Sequence, residues 1–420
     1  MQDGMPLILK VEQRRWRCTN SECNYVSTDQ FSFLNKYKHN TAVTDLMILN
    51  AFRDSRLSAR QIADRYNVSD SYALKLFSMY VKMNRRQLGE AISVDEVYVN
   101  VPHVCKYALV IQDFITSEPI DLLPGRRAEV TEPYFSSIPI NERRKVRYFI
   151  SDMYRPYIGY IEKYFPNAIS IVDSFHVVKF INGRLRSYMQ QLTRKLNRQD
   201  RDEHQRREEA LHMSLEFRHS REYRLMKNYK WIVLSNPENL PHDMHYHYDR
   251  TLEQYVDYYI LEDLFFKVDP NLKTFRILKN KYISFNQKYW NDPNKAKPAL
   301  NDLISEYRKS GYPLFRDIAD TLDANSTSII NSFIVVEKYC KDGVHHSRLS
   351  NGPMECINRI AKDLKRNARG YRNFEHLRNR FLFSTRENAR ILGSPRPEEE
   401  YVVHTGKKRG PYKKRKPTHQ

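Results

Sequence analysis

The chain has 420 residues, with 70 Lys and Arg against 50 Asp and Glu, a net charge of +20. That length predicts two or three domains and a core that needs no disulfide or metal staple, and so large a cationic excess points first to a DNA or RNA backbone and second to a membrane surface. Apolar runs far short of the ~20 residues of a spanning helix exclude a transmembrane protein. No secretory signal is expected, five scattered cysteines fit a reducing cytosol, and the lack of GxGxxG or GxxxxGKS/T patterns speaks against ATP-driven chemistry.

In chain order, residues 1–40 form a short basic segment carrying Cys18 and Cys23. Residues 41–88 are helical. Within them, LSARQIADRYNVSDSYALKLFSMYV (57–81) predicts two helices capped by Ser58 and Ser69. Tyr66-Asn67-Val68 makes the turn, and Asn67 tolerates a left-handed conformation. Ile62, Ala63, Tyr66, Val68, Ala73 and Leu76 are spaced to cross over one small core, which leaves Asp70, Ser71, Tyr72 and Lys75 for a DNA major groove. This predicts a helix-turn-helix module with Ser71 and Lys75 as DNA contacts. An ordinary helical hairpin is the bland alternative.

Residues 89–182 change character. ISVDEVY (92–98), YALVIQDFI (107–115) and PIDLL (119–123) predict a three-stranded antiparallel meander. VRYFISDMY (146–154) and AISIVDSFHVV (168–178), separated by a helix at 155–165, predict two more strands paired in parallel. This order is that of the ribonuclease-H-like fold, which sets an acid on the first strand beside an acid just after the fourth. Asp95 and Asp152 stand there, interrupting or ending apolar strands where an uncompensated charge is costly. Phosphodiester cleavage by two Mg²⁺ ions needs such carboxylates, because Mg²⁺ takes hard oxygen ligands. The best candidate for a third acid is Glu355, in a block (347–386) with ten Lys or Arg and three acids. Lys362, Lys365, Arg366, Arg369 and Arg372 follow it and are candidates to hold the strand being cut.

SVDE (93–96), LLPGR (122–126), ISDMYRPY (150–157), FPNAISIVDSFHVVK (165–179) and NGPMECINRIAKDLKRNARGYRNFEHLRNR (351–380) resemble the ISL-three family of bacterial insertion-sequence DDE transposases over roughly residues 10–392. The resemblance implies an acidic triad of Asp95, Asp152 and Glu355 holding two Mg²⁺ ions, for which Mn²⁺ substitutes. It implies a helical insertion, which accounts for the 203 positions between the second and third acids. It also implies a (C/D)xxH element, matched by Asp173 and His176, near the active site; an Asp–His hydrogen bond fixing the strand end is the bland reading. The family usually opens with a zinc ribbon of two cysteine pairs. Here Cys18 and Cys23 are one pair, His39 is a conceivable third ligand, and structural zinc takes four. The ribbon is therefore expected to be incomplete, the start truncated and zinc binding doubtful.

The expected fold class is α/β: a ribonuclease-H-like core with a mixed five-stranded sheet, interrupted by a helical insertion and preceded by the helix-turn-helix module. The parts are 1–40, 41–88, 89–182, the insertion at 183–335, 336–392 with Glu355, and a basic disordered tail at 393–420. The run 184–213 mixes charges as a solvated helix face does, and PHDMHYHYD (241–249) reads as a solvated loop rather than a metal site. In the tail, GKKRGPYKKRK (406–416) carries seven basic residues and no acid, which predicts a sequence-blind DNA tether. The expected function is metal-dependent DNA cleavage and strand transfer by a cytoplasmic, nucleoid-associated enzyme. It would act on double-stranded DNA as a homodimer or larger assembly, away from membranes. The alternatives are a non-catalytic helix-turn-helix regulator and a ribonuclease-H-like nuclease without strand transfer.

Overall fold

The computed structural model describes residues 10–32, 40–340 and 343–401. His39 and the 406–416 tail lie outside the described residues. Strands β1 (Arg15–Arg17) and β2 (Val26–Thr28) form a short antiparallel hairpin. Cys18 and Cys23 lie between them as free thiols.

Three helices follow: α1 (Ala42–Ala51), α2 (Ala59–Tyr66) and α3 (Asp70–Tyr80). Ser58 caps α2 in a reciprocal arrangement with Gln61, and Ser69 caps α3 by accepting from the Tyr72 N–H. Asn67 ends α2 at φ 52°, ψ 47°, the left-handed conformation the turn requires. Ile62, Ala63, Ala73, Leu76 and Phe77 are buried between the helices.

The central sheet contains β3 (Ala91–Val101), β4 (Cys105–Asp113), β5 (Pro119–Leu123), β6 (Tyr148–Ser151) and β7 (Ile169–Val172). Its order is β5-β4-β3-β6-β7, with β3-β4 and β4-β5 antiparallel and β3-β6 and β6-β7 parallel. Helices α4 (Ala128–Ser137) and α5 (Ile140–Arg143) lie between β5 and β6, and α6 (Arg155–Tyr164) between β6 and β7. The result is a mixed α/β fold consistent with a ribonuclease-H-like core.

Alternation along β3 assigns the two faces. Ile92 and Val94 pack with Phe149 of β6 and with Phe135, Tyr157 and Tyr160 of the α4–α6 layer. Val97, Val99 and Val101 pack on the other side with Met354, Ile357 and Ala361. Those last three lie on α15 (Gly352–Asn367), the helix that also carries Glu355.

Between β7 and α15 the chain forms α7 (Ser174–Leu211), α8 (Arg221–Asn228), α9 (Trp231–Leu234), the hairpin β8 (His247–Asp249) and β9 (Gln254–Val256), α10 (Tyr258–Val268), α11 (Asn271–Lys288), α12 (Pro293–Lys309), α13 (Pro313–Ala324), α14 (Ser326–Asn331), and the hairpin β10 (Val335–Cys340) and β11 (Gly343–Arg348). The run read as a strand across 168–178 divides: β7 stops at Val172 and α7 starts at Ser174. Val177, Ile181, Leu185 and Met189 recur every four residues and bury one face of α7, so helical packing wins over the β-branched composition of HVV. The segment read as a solvated loop at 241–249 ends in β8.

Helix α16 (Phe374–Thr385) joins the first three helices to the sheet. Arg380 is buried, donates to the Asp54 and Leu57 carbonyls at 2.9 and 2.8 Å, and lies over the Phe52 ring. Asn367 Nδ2 donates to the carbonyls of Ser55 and Arg56. The α1–α3 unit and the α15–α16 pair thus share one apolar core with the sheet.

Candidate active site

Two parallel strands bring Asp95 and Asp152 together. Ser93 of β3 pairs with Ile150 of β6, and each aspartate lies two residues further along its own chain. Asp95 is half-buried, and its Oδ1 accepts from the Glu96 N–H at 2.8 Å. Burial pushes its carboxyl above the ordinary range, and the charge of Asp152 adds to the rise. The Glu96 N–H, His176 and Lys179 pull the other way. Asp152 Oδ1 accepts from the Tyr154 N–H at 3.0 Å. Glu96 points to the opposite sheet face and pairs with Arg126 at 2.8 Å. Its carboxyl is also raised, by burial first; Arg126 lowers it, while Asp152 and Asp95 raise it.

Helix α15 closes the other side. Asn351, Glu355 and Asn358 fall at i, i+4 and i+7, one stripe of a helix. Asn358 Nδ2 donates to Asp95 Oδ2 at 2.7 Å, and Asn351 Nδ2 lies 3.1 Å from His176 Nε2. Both asparagines are buried, and the Oδ1 of each lacks a hydrogen-bond partner. Glu355 stands between them, exposed, in the first turn of the helix. Among the described residues no group of three or more His, Cys, Asp or Glu side chains is gathered closely enough to hold a metal ion. Asp173 and His176 are both buried. The His176 ring meets Asn351, and the Asp173 charge is felt by Arg348 and Tyr282.

A family model described as a transposase, of the ISL3 group of DDE enzymes, matches residues 92–381, which includes both aspartates and the whole of α15. The chain belongs to the ISL3 family of transposases. It is also 23% identical to the transposase for insertion sequence element IS1001 of Bordetella parapertussis, over 377 residues that cover 88% of this chain and 79% of the relative. A transposase role follows for the chain.

The transposase presents two clefts that meet at Asn100 and Pro102. One, of about 580 Å³, is lined by Lys365, Arg366, Arg369 and Arg372, together with Asn100 and Pro102. Lys362 is exposed on the same helix as Lys365. The other, of about 1060 Å³, runs past Glu96, Arg126 and Tyr154. Ser71 and Lys75 are exposed on α3, whereas Tyr72 turns inward and its hydroxyl donates to Asp45 at 2.6 Å. No helix among the described residues is long and apolar enough to cross a membrane.

Sequence reasoning missed Asn351, Asn358 and Arg126. The asparagines are visible afterwards as the i−4 and i+3 positions of Glu355, and Arg126 lies inside the LLPGR motif. The basic block at 347–386 is not uniformly a DNA surface. Arg386 donates to the carbonyls of Pro119, Asn84 and Ile120, and Arg378 pairs with the buried Asp121.

Proposed function

We propose that this transposase cuts DNA at the ends of an insertion-sequence element and joins the freed 3′-hydroxyl to target DNA, using Asp95, Asp152 and Glu355. The observation that carries the reading is the juxtaposition of Asp95 and Asp152 on neighbouring parallel strands, roofed by the helix that bears Glu355. The donor set fits a divalent cation: hard carboxylate oxygens, that of Asp95 raised in pKa by burial and by the charge of Asp152, with the orphaned Asn358 Oδ1 alongside. Bound there by the three acids, two Mg²⁺ or Mn²⁺ ions would supply an activated water and a neutralised leaving oxygen.

The chain's own residues do the rest. Asn358 steers the Asp95 carboxylate, and the Tyr154 N–H steers that of Asp152. Residues Lys362, Lys365, Arg366, Arg369 and Arg372 neutralise phosphates of the strand being cut, and Ser71 and Lys75 on α3 read the element end in a major groove. Asp173 and His176 support the site through the His176–Asn351 contact. The helices between β7 and β10 are the helical insertion of this reading, and α1–α3 its DNA-binding module. Pairing two ends on DNA calls for a homodimer or larger assembly.

The test is nicking of a duplex carrying the element end, with and without Mg²⁺, by the protein and by Asp95→Asn, Asp152→Asn and Glu355→Gln. All three variants lose metal-dependent nicking while binding the duplex. Retention of nicking by any of them removes that residue from the triad. Capture of a labelled 3′-hydroxyl end by plasmid DNA separates strand transfer from simple nuclease action.

A further inference from the structure

Arg126 occupies a position that neither the acids nor the basic stretch of α15 explains. Its Nε pairs with Glu96 at 2.8 Å, and its guanidinium lies 3.8 Å from the centre of the Tyr154 ring. Its carbonyl accepts from the Tyr160 hydroxyl at 3.1 Å. Tyr154 in turn gives its N–H to Asp152. One planar cation therefore braces the residue that orients an acid of the site, and Glu96 is the one carboxylate paired with it among the described residues.

Arg126 also lines the cleft of about 1060 Å³, whose walls include His103, Lys106, Arg127 and Glu129. Lys106 and Arg127 are exposed, and neither has a carboxylate partner among the described residues. Two exposed cations at the rim of a large cleft give it a positive edge that an anion would complement. Asn100 and Pro102, near the tip of the β3–β4 hairpin, border this cleft on one side and the cleft of Lys365, Arg366, Arg369 and Arg372 on the other.

We propose that the cleft of Lys106, Arg126 and Arg127 is a second DNA-backbone groove, across the β3–β4 hairpin from the α15 groove, and that Arg126 is a positioning residue which couples its occupancy to Asp152. The proposal rests on the DNA-cutting reading of the same site. Its occupant is the phosphodiester backbone of the DNA being cut. A small-molecule site of this size is normally enclosed, whereas this cleft is open to solvent and rimmed by cations. Arg is the side chain suited to the pivot, since its planar fork holds a carboxylate at one edge and stacks on an aromatic ring, which an ammonium cannot reproduce.

The experiment uses the full chain and a random-sequence duplex oligonucleotide, with binding measured against salt in the absence of divalent metal. Each phosphate contact contributes roughly 0.9 to the log–log slope. Lys106→Ala/Arg127→Ala is expected to flatten the slope by about 1.8 with an unchanged circular dichroism spectrum. An unchanged slope in this double variant overturns the groove. For the pivot, Arg126→Lys keeps the charge and loses the fork and the stack. Its slope should match the unaltered protein, while nicking at saturating duplex falls about 10–100-fold with little change in KM. An Arg126→Lys variant that nicks at the normal rate overturns the positioning role. Binding is read without cutting, so an altered slope in a protein that never nicks refutes the chemistry alone, and an unchanged slope in a protein that nicks refutes the groove alone.

Discussion

Replacing Asn358 by Ala tests the site where its geometry is most explicit. The amide donates the one side-chain hydrogen bond that Asp95 receives among the described residues, at 2.7 Å. A hydrogen bond to an ionised group contributes about 1.5–3 kcal/mol, so losing it only where the carboxylate must be ionised and aligned lowers the cleavage rate about 10–150-fold. The pH profile carries the sharper information. A donor to the ionised form lowers a carboxyl pKa, and its removal raises it. Asp95 already lies above the ordinary carboxylate range through burial. The working form is the ionised one, so the acid limb of the rate profile moves to more alkaline pH in Asn358→Ala. Asn358→Asp moves it further still, because a second carboxylate would face Asp95 across a hydrogen-bond distance and the two resist ionising together. The assay is single-turnover nicking across pH at saturating duplex and Mg²⁺. If Asn358→Ala keeps both the rate and the position of the acid limb, the amide does not govern Asp95 and the reasoning is wrong.

Three further outcomes follow from the same packing. Asp95→Asn should raise thermal stability at neutral pH: a carboxyl whose folded pKa is raised destabilises the fold above that pKa and not below the unfolded one, so the gain, of the order of 1 °C, fades as pH falls into the ordinary carboxylate range; calorimetry at two pH values decides it. Arg380→Ala strands the Asp54 and Leu57 carbonyls and uncovers Phe52, and should cost about 2–4 kcal/mol in urea unfolding; a loss under 1 kcal/mol would mean that the α1–α3 unit does not depend on this arginine. Lys75→Ala should weaken binding to the cognate end more than to random DNA in a competition assay, and equal losses would reduce Lys75 to a phosphate contact.

Local signals made most of the scaffold readable. Ser58, Ser69 and Asn67 encode their caps and turn in their own side chains, and the three meander strands are announced by β-branched runs closed by turns. Asp95 and Asp152 were visible because a charge inside an apolar strand is conspicuous. What stayed hidden depends on partners far away in sequence. The start of α7 is written in HVV, which has strand composition, and only the burial of Val177, Ile181, Leu185 and Met189 makes it a helix. Asn358 looks like any helical asparagine until β3 is brought against it, 263 positions away.

The arginines show why charge alone underdetermines function. Arg366, Arg369 and Arg372 line an open cleft, while Arg380 and Arg386, a few residues on, spend their donors on backbone carbonyls inside the protein. The two groups are alike in composition and opposite in role. A buried guanidinium needs partners for its donors; here Arg380 Nη2 donates to the Asp54 and Leu57 carbonyls in the connection between α1 and α2, while Arg386 donates to carbonyls that include Pro119 and Ile120 of β5. Helix α16 therefore ties the α1–α3 unit to the edge of the sheet through arginine forks as well as apolar packing. A unit fixed in this way holds the exposed face of α3 at a set angle to Asp95 and Asp152. If α3 reads an element end, the distance from that end to the cut is then a property of the fold rather than of a flexible linker.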